Sequence, residues 1–508
     1  MNKLMRSTLL ALLVCLASLA GARAQSQSQT DAGAYVRTMR ISKALRNAVW
    51  GVKAMDGKGR IIVDYNGSQM MTPASNMKLV TTGTALHALG ADYKFTTSIA
   101  YSGTVVEGTL HGDVYIVGGG DPTIGVKDSI ALKPEALFWK WKTLLKSAGI
   151  SSIDGRIIGD GRSFEGHLEN TSWEYDDLGT DYGTGGNGLC FYANAQDYEV
   201  SAGPSEGAAV NVRIKYPLTP WLHFTNYGVT GKAGTGNSLY LYTTDLAPYA
   251  ELRGSFATDR NPKTENFSNK FGAMTCAYYF WKNLQDTGWK VTGGYADIDR
   301  AGWIRGGDFV PAEKAPAQKD LTVAGKTQSP SLSLIARETN HRSDNFYAET
   351  ILRAMGEEAT GWACYDSCYA AQADVLDALG VSTDGFRIED GSGLSRHNYI
   401  SPDFMVRYLE AMKRSPSFKV FLESLPYPGA PGTLQSILGS LPATTRSRIR
   451  MKSGSMDGVL CYSGYILPAN DAPEDAVVFS VMTNNSVASV SEVRLLIMNL
   501  ITRLIPQG

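Results

Sequence analysis

The chain carries almost no excess charge: 48 Lys plus Arg against 49 Asp plus Glu leave a formal net charge of −1 over 508 residues. Nucleic-acid binding rests on neutralising many phosphates, so this balance excludes the usual basic footprint. Only six cysteines and six histidines are present, with no H-E-x-x-H and no Cys-x-x-Cys pair among them. No metal centre is expected from such a set. Beyond the first 24 residues no uninterrupted apolar run is long enough to cross a bilayer. No repeat of fixed period occurs, and 43% hydrophobic with 19% charged residues is unlike a disordered or collagenous chain. What remains is a large, core-forming protein with room for about three domains.

Residues 1–24 read as a cleavable export signal. Lys3 and Arg6 supply the positive end, Leu9 to Ala20 the short apolar stretch, and Ala22-Arg23-Ala24 the small-x-small cleavage pattern. Losing Lys3, Arg6 and Arg23 takes the net charge from −1 to −4. A polar linker, residues 25–33, follows. Cys15 leaves with the signal, and the other five cysteines are an odd number, so at least one thiol lacks an internal partner. The spacing of Cys364 and Cys368 admits a local disulfide or one face of a helix. The plainest role for each is a small buried hydrophobe.

Tyr35 to Leu45 has helical character. Asn47 to Met55 and Arg60 to Tyr65 alternate as strands around the turn Asp56-Gly57-Lys58-Gly59. After Thr72-Pro73-Ala74 an amphipathic helix is predicted, with Met77, Val80, Leu86 and Leu89 inward and Gly90 as its stop. Arg446 to Lys452, Val459 to Leu467 and Ala476 to Met482 read as three more strands, followed by a helix from Val490 to Ile505 that suits packing on a sheet. One sheet built from both chain ends is expected, from residues 34–93 and 325–508. Residues 94–324 would be an insertion, mostly β, forming two domains with one nested in the other.

Three short motifs carry chemistry. Ser75-Asn76-Met77-Lys78 puts a serine at a helix start and a lysine three positions on, along one face. Serine is a poor nucleophile at its free pKa, and a desolvated lysine can take its proton. Ser343-Asp344-Asn345 lies between helical segments, where a hydroxyl and a carboxamide can relay a proton and hold an amide. Lys452-Ser453-Gly454 falls at the end of a predicted strand. There the lysine would raise the local positive potential, and the glycine would let substrate approach the strand edge. Each alone has an ordinary structural explanation: a helix cap, a turn, a strand end.

S-x-x-K, S-x-N and K-[ST]-G in that order form the motif set of penicillin-binding proteins and related β-lactamases. With Gly118-Gly119-Gly120-Asp121-Pro122, Ala348-Glu349, Asp390-Gly391-Ser392-Gly393-Leu394-Ser395-Arg396 and Gly432-Thr433-Leu434, the chain resembles the D-alanyl-D-alanine carboxypeptidase/endopeptidase family. These are class C, low-molecular-mass penicillin-binding proteins. The 268 positions from Ser75 to Ser343 are similar to that class, which carries extra domains between the first two motifs. One departure is serine instead of threonine at 453, which keeps the hydroxyl.

The resemblance implies an α/β (α+β) fold: a transpeptidase-like domain, an antiparallel sheet flanked by helices, with a large β-rich insertion. It implies a periplasmic serine peptidase that removes the terminal D-alanine of peptidoglycan stem peptides or cuts D-alanyl crosslinks. No cofactor is expected. β-Lactam antibiotics would act as covalent inhibitors, nucleic acid would play no part, and membrane association would be weak at most. Ser75 would be the nucleophile and Lys78 its base, with the like charge of Lys452 helping to keep Lys78 neutral. Ser343 would pass the proton to the leaving D-alanine, and Asn345 would bind the substrate amide. Lys452, Ser453 and Ser455 would hold the terminal carboxylate beside Gly454. The N–H groups of Ser75 and Ser455 would form the oxyanion hole. Asp177 (or Asp176), Tyr182 and Arg396 would bind a zwitterionic side-chain end such as that of diaminopimelate. The alternatives are a β-lactamase and a non-catalytic peptidoglycan-binding scaffold on the same fold. Gly203-Pro204-Ser205-Glu206-Gly207 matches a hydrolase elbow but precedes a strand-like segment where that motif needs a helix. It reads as a loop.

Overall fold

The computed structural model describes residues 31–299, 309–311, 315–361 and 363–506. The expected export signal and most of the polar linker lie outside the described residues. Both ends of the described chain meet in one antiparallel five-stranded sheet. Its order is Ile61–Tyr65, Val49–Met55, Val477–Asn484, Val459–Ile466, Ile449–Met456. Every residue of Val459–Ile466 and Val477–Asn484 is buried, so both faces of the sheet are covered. Residues 31–41 and the helix Val490–Arg503 pack on one face, where Val36, Met39, Val493, Ile497 and Ile501 join Val52, Phe479 and Val481. The opposite face, with Val478 and Met482, meets a helical layer built around Met77–Leu89.

That helix differs from the amphipathic element read from the sequence. Residues 77–86 are all buried, because other helices surround it. Its polar residues are threonines that turn inward: Thr82 donates to the Lys78 carbonyl at 2.6 Å and Thr84 to that of Val80 at 2.7 Å. Gly83 admits the Tyr408 hydroxyl where a side chain would collide with it. The edge strand Ile449–Met456 also runs further than expected. Lys452-Ser453-Gly454 sits inside it, and the two-residue turn Asp457-Gly458 closes the hairpin, with Met456 opposite Val459.

The inserted region is not mostly β throughout. Its first part is a six-stranded mixed sheet with the helices Pro134–Ser147 and Gly272–Asp286 packed on it. Each helix serves as a crossover between parallel strands, from Val114–Val117 to Ile157–Asp160 and from there to Tyr295–Asp299. The strand Thr322–Gln328 pairs with Thr96–Tyr101, so a boundary at 324 would cut through a strand. Between Ile157–Asp160 and Gly272–Asp286 the chain makes a second, all-strand unit with its own core of Tyr198, Val200, Leu241, Leu252 and Phe256. Residues 203–207 join two of its strands as the loop expected.

The cysteines behave as small core residues. Cys190, Cys276, Cys368 and Cys461 are buried, and Cys364 caps the helix that contains Cys368.

Candidate active site

The site forms where the start of the central helix, the turn between two helices and the edge strand converge. Thr72 enters it on a two-way clamp: its N–H donates to Asn484 Oδ1 at 2.7 Å, and its carbonyl accepts from Asn484 Nδ2 at 3.0 Å. Ala74 then takes a left-handed φ of 47°, and Ser75 follows in a turn of 3-10 helix. Asn76 donates to Ser463 Oγ at 2.8 Å, which fastens the turn to the sheet. Ser343 likewise has φ 61°, between the helices Leu332–Arg342 and Asn345–Thr360. Left-handed backbone at two non-glycine residues is unfavourable locally and is held here by the surrounding contacts. Asp344 caps the second helix at Tyr347 N, while Asp128 of the inserted region accepts from Tyr347 Oη at 2.6 Å and pairs with Arg342.

The five polar side chains expected to meet do so. Lys78 Nζ lies 3.0 Å from Ser75 Oγ, 2.6 Å from Asn345 Oδ1 and 2.7 Å from the Ser392 carbonyl. Lys452 Nζ donates to Ser343 Oγ at 2.8 Å and to the Ser453 carbonyl at 2.7 Å. Both lysines are fully buried, whereas Ser75 and Ser343 keep some exposure. Burial brings Lys78 down to about 8, against the opposing pull of Asp390, Glu349 and Asp344. Burial also lowers Lys452 well below the ordinary lysine value, and the charge of Lys78 adds to that. Desolvation is therefore the main cause that depresses Lys78, and the two buried lysines repel each other as like charges.

One expectation changes. Gly454 serves a close approach of backbone to backbone: a Cβ there would stand 2.6 Å from the Pro73 carbonyl and 2.9 Å from the amide nitrogens of Ser75 and Asn76. The glycine lets the strand touch the start of the helix, rather than letting substrate approach the strand. Lys452 Nζ is buried and directed at Ser343 Oγ and the Ser453 carbonyl, while Ser453 is half-buried and Ser455 exposed on the same strand. Asn345 has its carboxamide divided between Lys78 and the Tyr182 carbonyl, to which Nδ2 donates at 3.0 Å. One amide hydrogen stays for a ligand.

The segment around 173–182 lies across this site. Tyr182 lies near Asp177, whose carboxyl burial pushes up. Arg396 pairs with Glu174 at 2.9 Å rather than with Asp177, and also donates to the Asp457 carbonyl. Glu174 is thus a site residue that sequence reasoning missed.

A second omission lies beneath Lys78. Glu349 Oε1 accepts from Ser392 N at 2.7 Å, and the Ser392 carbonyl accepts from Lys78 Nζ. Burial and the neighbouring Asp390 raise Glu349 to about 7. Asp390 accepts from the amides of Gly393 and Ser395, from Asn398 Nδ2 and from Trp173 Nε1, so one carboxylate folds the whole Asp390–Ser395 loop. Its only sequence signal was the Ala348-Glu349 stretch that follows Ser343-Asp344-Asn345.

This arrangement offers an accessible hydroxyl against a desolvated amine, a second hydroxyl on a second amine, and an edge strand for an extended substrate. Comparison with known proteins agrees with it. The model of the D-Ala-D-Ala carboxypeptidase 3 (S13) family matches residues 36–504. A D-alanyl-D-alanine carboxypeptidase of Actinomadura sp. strain R39 is 29% identical over 95% of this chain and 85% of its own length. A penicillin-sensitive carboxypeptidase A of Dictyostelium discoideum is 25% identical over 87% of this chain and 84% of its own. In fold, the crystal structure of penicillin binding protein 4 from Haemophilus influenzae superposes with a TM-score of 0.77 at 22% identity, over 94% of this chain and 99% of that one. The chain belongs to the D-Ala-D-Ala carboxypeptidase 3 (S13) family and is a serine-type D-Ala-D-Ala carboxypeptidase.

Proposed function

We propose that the protein is exported to the periplasm and trims or uncrosslinks peptidoglycan stem peptides through an acyl-enzyme on Ser75. Neutral Lys78 takes the Ser75 hydroxyl proton as Oγ attacks the carbonyl of the penultimate D-alanine. The N–H groups of Ser75 and Ser455 receive the developing oxyanion, each donor worth roughly a hundredfold or more in rate. The C–N bond breaks as Ser343, on Lys452, delivers a proton to the departing amine; water then cleaves the ester and frees Ser75. Ser453 and Ser455 hold the terminal carboxylate. Asp177, Tyr182 and the Glu174–Arg396 pair present both signs of charge to the stem side chain, which suits a zwitterionic end. A β-lactam ring opened by the same attack would leave its nitrogen tethered in the site. The penicillin sensitivity for which the Dictyostelium relative is named supports that step.

The observation that carries this reading is the 3.0 Å approach of the fully buried Lys78 Nζ to the partly exposed Ser75 Oγ. Incubation with a pentapeptide ending in D-Ala-D-Ala should release D-alanine, and Ser75→Ala should abolish the release. Release that survives this change would remove Ser75 from its role. Turnover of β-lactam without D-alanine release would make the protein a β-lactamase.

A further inference from the structure

Beside the active site, the all-strand unit carries a groove of about 670 Å³ whose walls are unusually aromatic. Strand alternation places Tyr242, Tyr249, Glu251 and Arg253 on the outer face of a three-stranded sheet, with Leu241, Ala250 and Leu252 on its core face. Tyr175 stacks on Tyr242 with centroids 5.5 Å apart, and His223 stacks on Tyr249 at 5.0 Å. Tyr175 is 67% exposed and Tyr249 63%. Tyr175, Tyr242 and Tyr249 line the groove together with Asp176, Glu251 and Thr225.

We propose that this groove binds the glycan backbone of the polymer whose stems enter the active site, a reading that rests on the proposed function. The apolar C–H faces of sugar rings stack on aromatic side chains, and their hydroxyl and acetamido groups suit carboxylates and threonine hydroxyls. A peptide added as a strand would need a sheet edge, whereas this groove lies on a sheet face. A nucleic acid would meet two carboxylates against one arginine, the wrong balance for phosphates.

Continuity with the active site fixes the occupant. Tyr175 and Asp176 belong to the segment in which Glu174 holds Arg396 and the Tyr182 carbonyl accepts from Asn345 Nδ2. That segment is anchored at both ends. On one side Trp173 and Ser172 bond Asp390 and Ser395; on the other Gly179 lies against the Leu241 carbonyl, where a Cβ would collide, and accepts from Ser268 N. A strand seated on the tyrosines is therefore held in fixed register with Ser75.

The test uses the full chain with Ser75→Ala and stem-free glycan chains prepared by amidase digestion of peptidoglycan, with binding read by calorimetry. Loss of the rings in Tyr242→Ala/Tyr249→Ala should weaken binding about tenfold, in line with the size of one or two ring-stacking contacts. Tyr249→Ala alone, at an exposed position, should weaken it in the same direction without disturbing the core. On the active background these variants should release D-alanine from a free pentapeptide at the parental rate and from intact sacculi more slowly. No glycan binding, equal binding by the variants, or occupation of the groove by crosslinked stem peptides instead of glycan would overturn the proposal. Failure of the parent to cleave free pentapeptide would count against the proposed function, and the Ser75→Ala binding result would still stand separately.

Discussion

A buried lysine is only useful as a base if it can lose its proton near working pH, and Lys78 is placed for that. Its surroundings oppose one another: burial disfavours the ammonium, while Asp390, Glu349 and Asp344 favour it. The balance, at about 8, means that acylation should rise with pH as Lys78 deprotonates and level off above that value. Glu349→Gln keeps an acceptor for Ser392 N but removes a negative charge that stabilises the ammonium. Lys78 should then release its proton more easily, and the midpoint should move to lower pH. Acylation rates measured from about pH 5 to about pH 10 check this. A midpoint that stays or rises would show that Glu349 does not act on Lys78.

At the scale of elements, the site depends on how closely a strand approaches a helix start. Gly454→Ala would force the Pro73, Ser75 and Asn76 backbone away from the strand and misplace the Ser75 and Ser455 amides. Loss of that geometry should slow acylation about a hundredfold, the scale of one oxyanion donor. Stopped-flow kinetics with a chromogenic β-lactam measures it, and an unchanged rate would mean the close approach is not needed. This level also marks where the sequence was readable. The end strands and final helix followed from alternation and periodicity, since the sheet buries alternate residues on two covered faces. The three motifs were readable because their order is rare. The central helix was misread as amphipathic because its threonines look polar until their hydroxyls turn back onto the helix. Gly454 was singled out but given the wrong neighbour, and the roles of Glu174 and Glu349 stayed hidden, because each acts on residues far away in the chain. The two crossover helices of the insertion, each rich in aromatic residues, were passed over beside stretches of stronger strand alternation.

Across the whole molecule, the inserted region is tied to the catalytic groove by the segment from Asn170 to Tyr182. Trp173 is its anchor, buried and donating to Asp390, which in turn folds the loop that presents the Ser392 carbonyl to Lys78. Trp173→Ala should destabilise the protein by about 3 kcal/mol or more, as large-to-small changes at buried aromatics do. It should also open the segment to protease and lower the acylation rate together. Denaturant titration and limited proteolysis report the first two effects. Parental resistance to protease would mean the segment is held elsewhere.

Ser75 as the acylated residue is the claim on which the other roles depend. Intact-mass spectrometry after brief exposure to benzylpenicillin, followed by peptide mapping, tests it directly. The account predicts one penicilloyl adduct per chain, located on the peptide that contains Ser75 and absent from Ser75→Ala. An adduct mapped to another residue, or undiminished in Ser75→Ala, would contradict it.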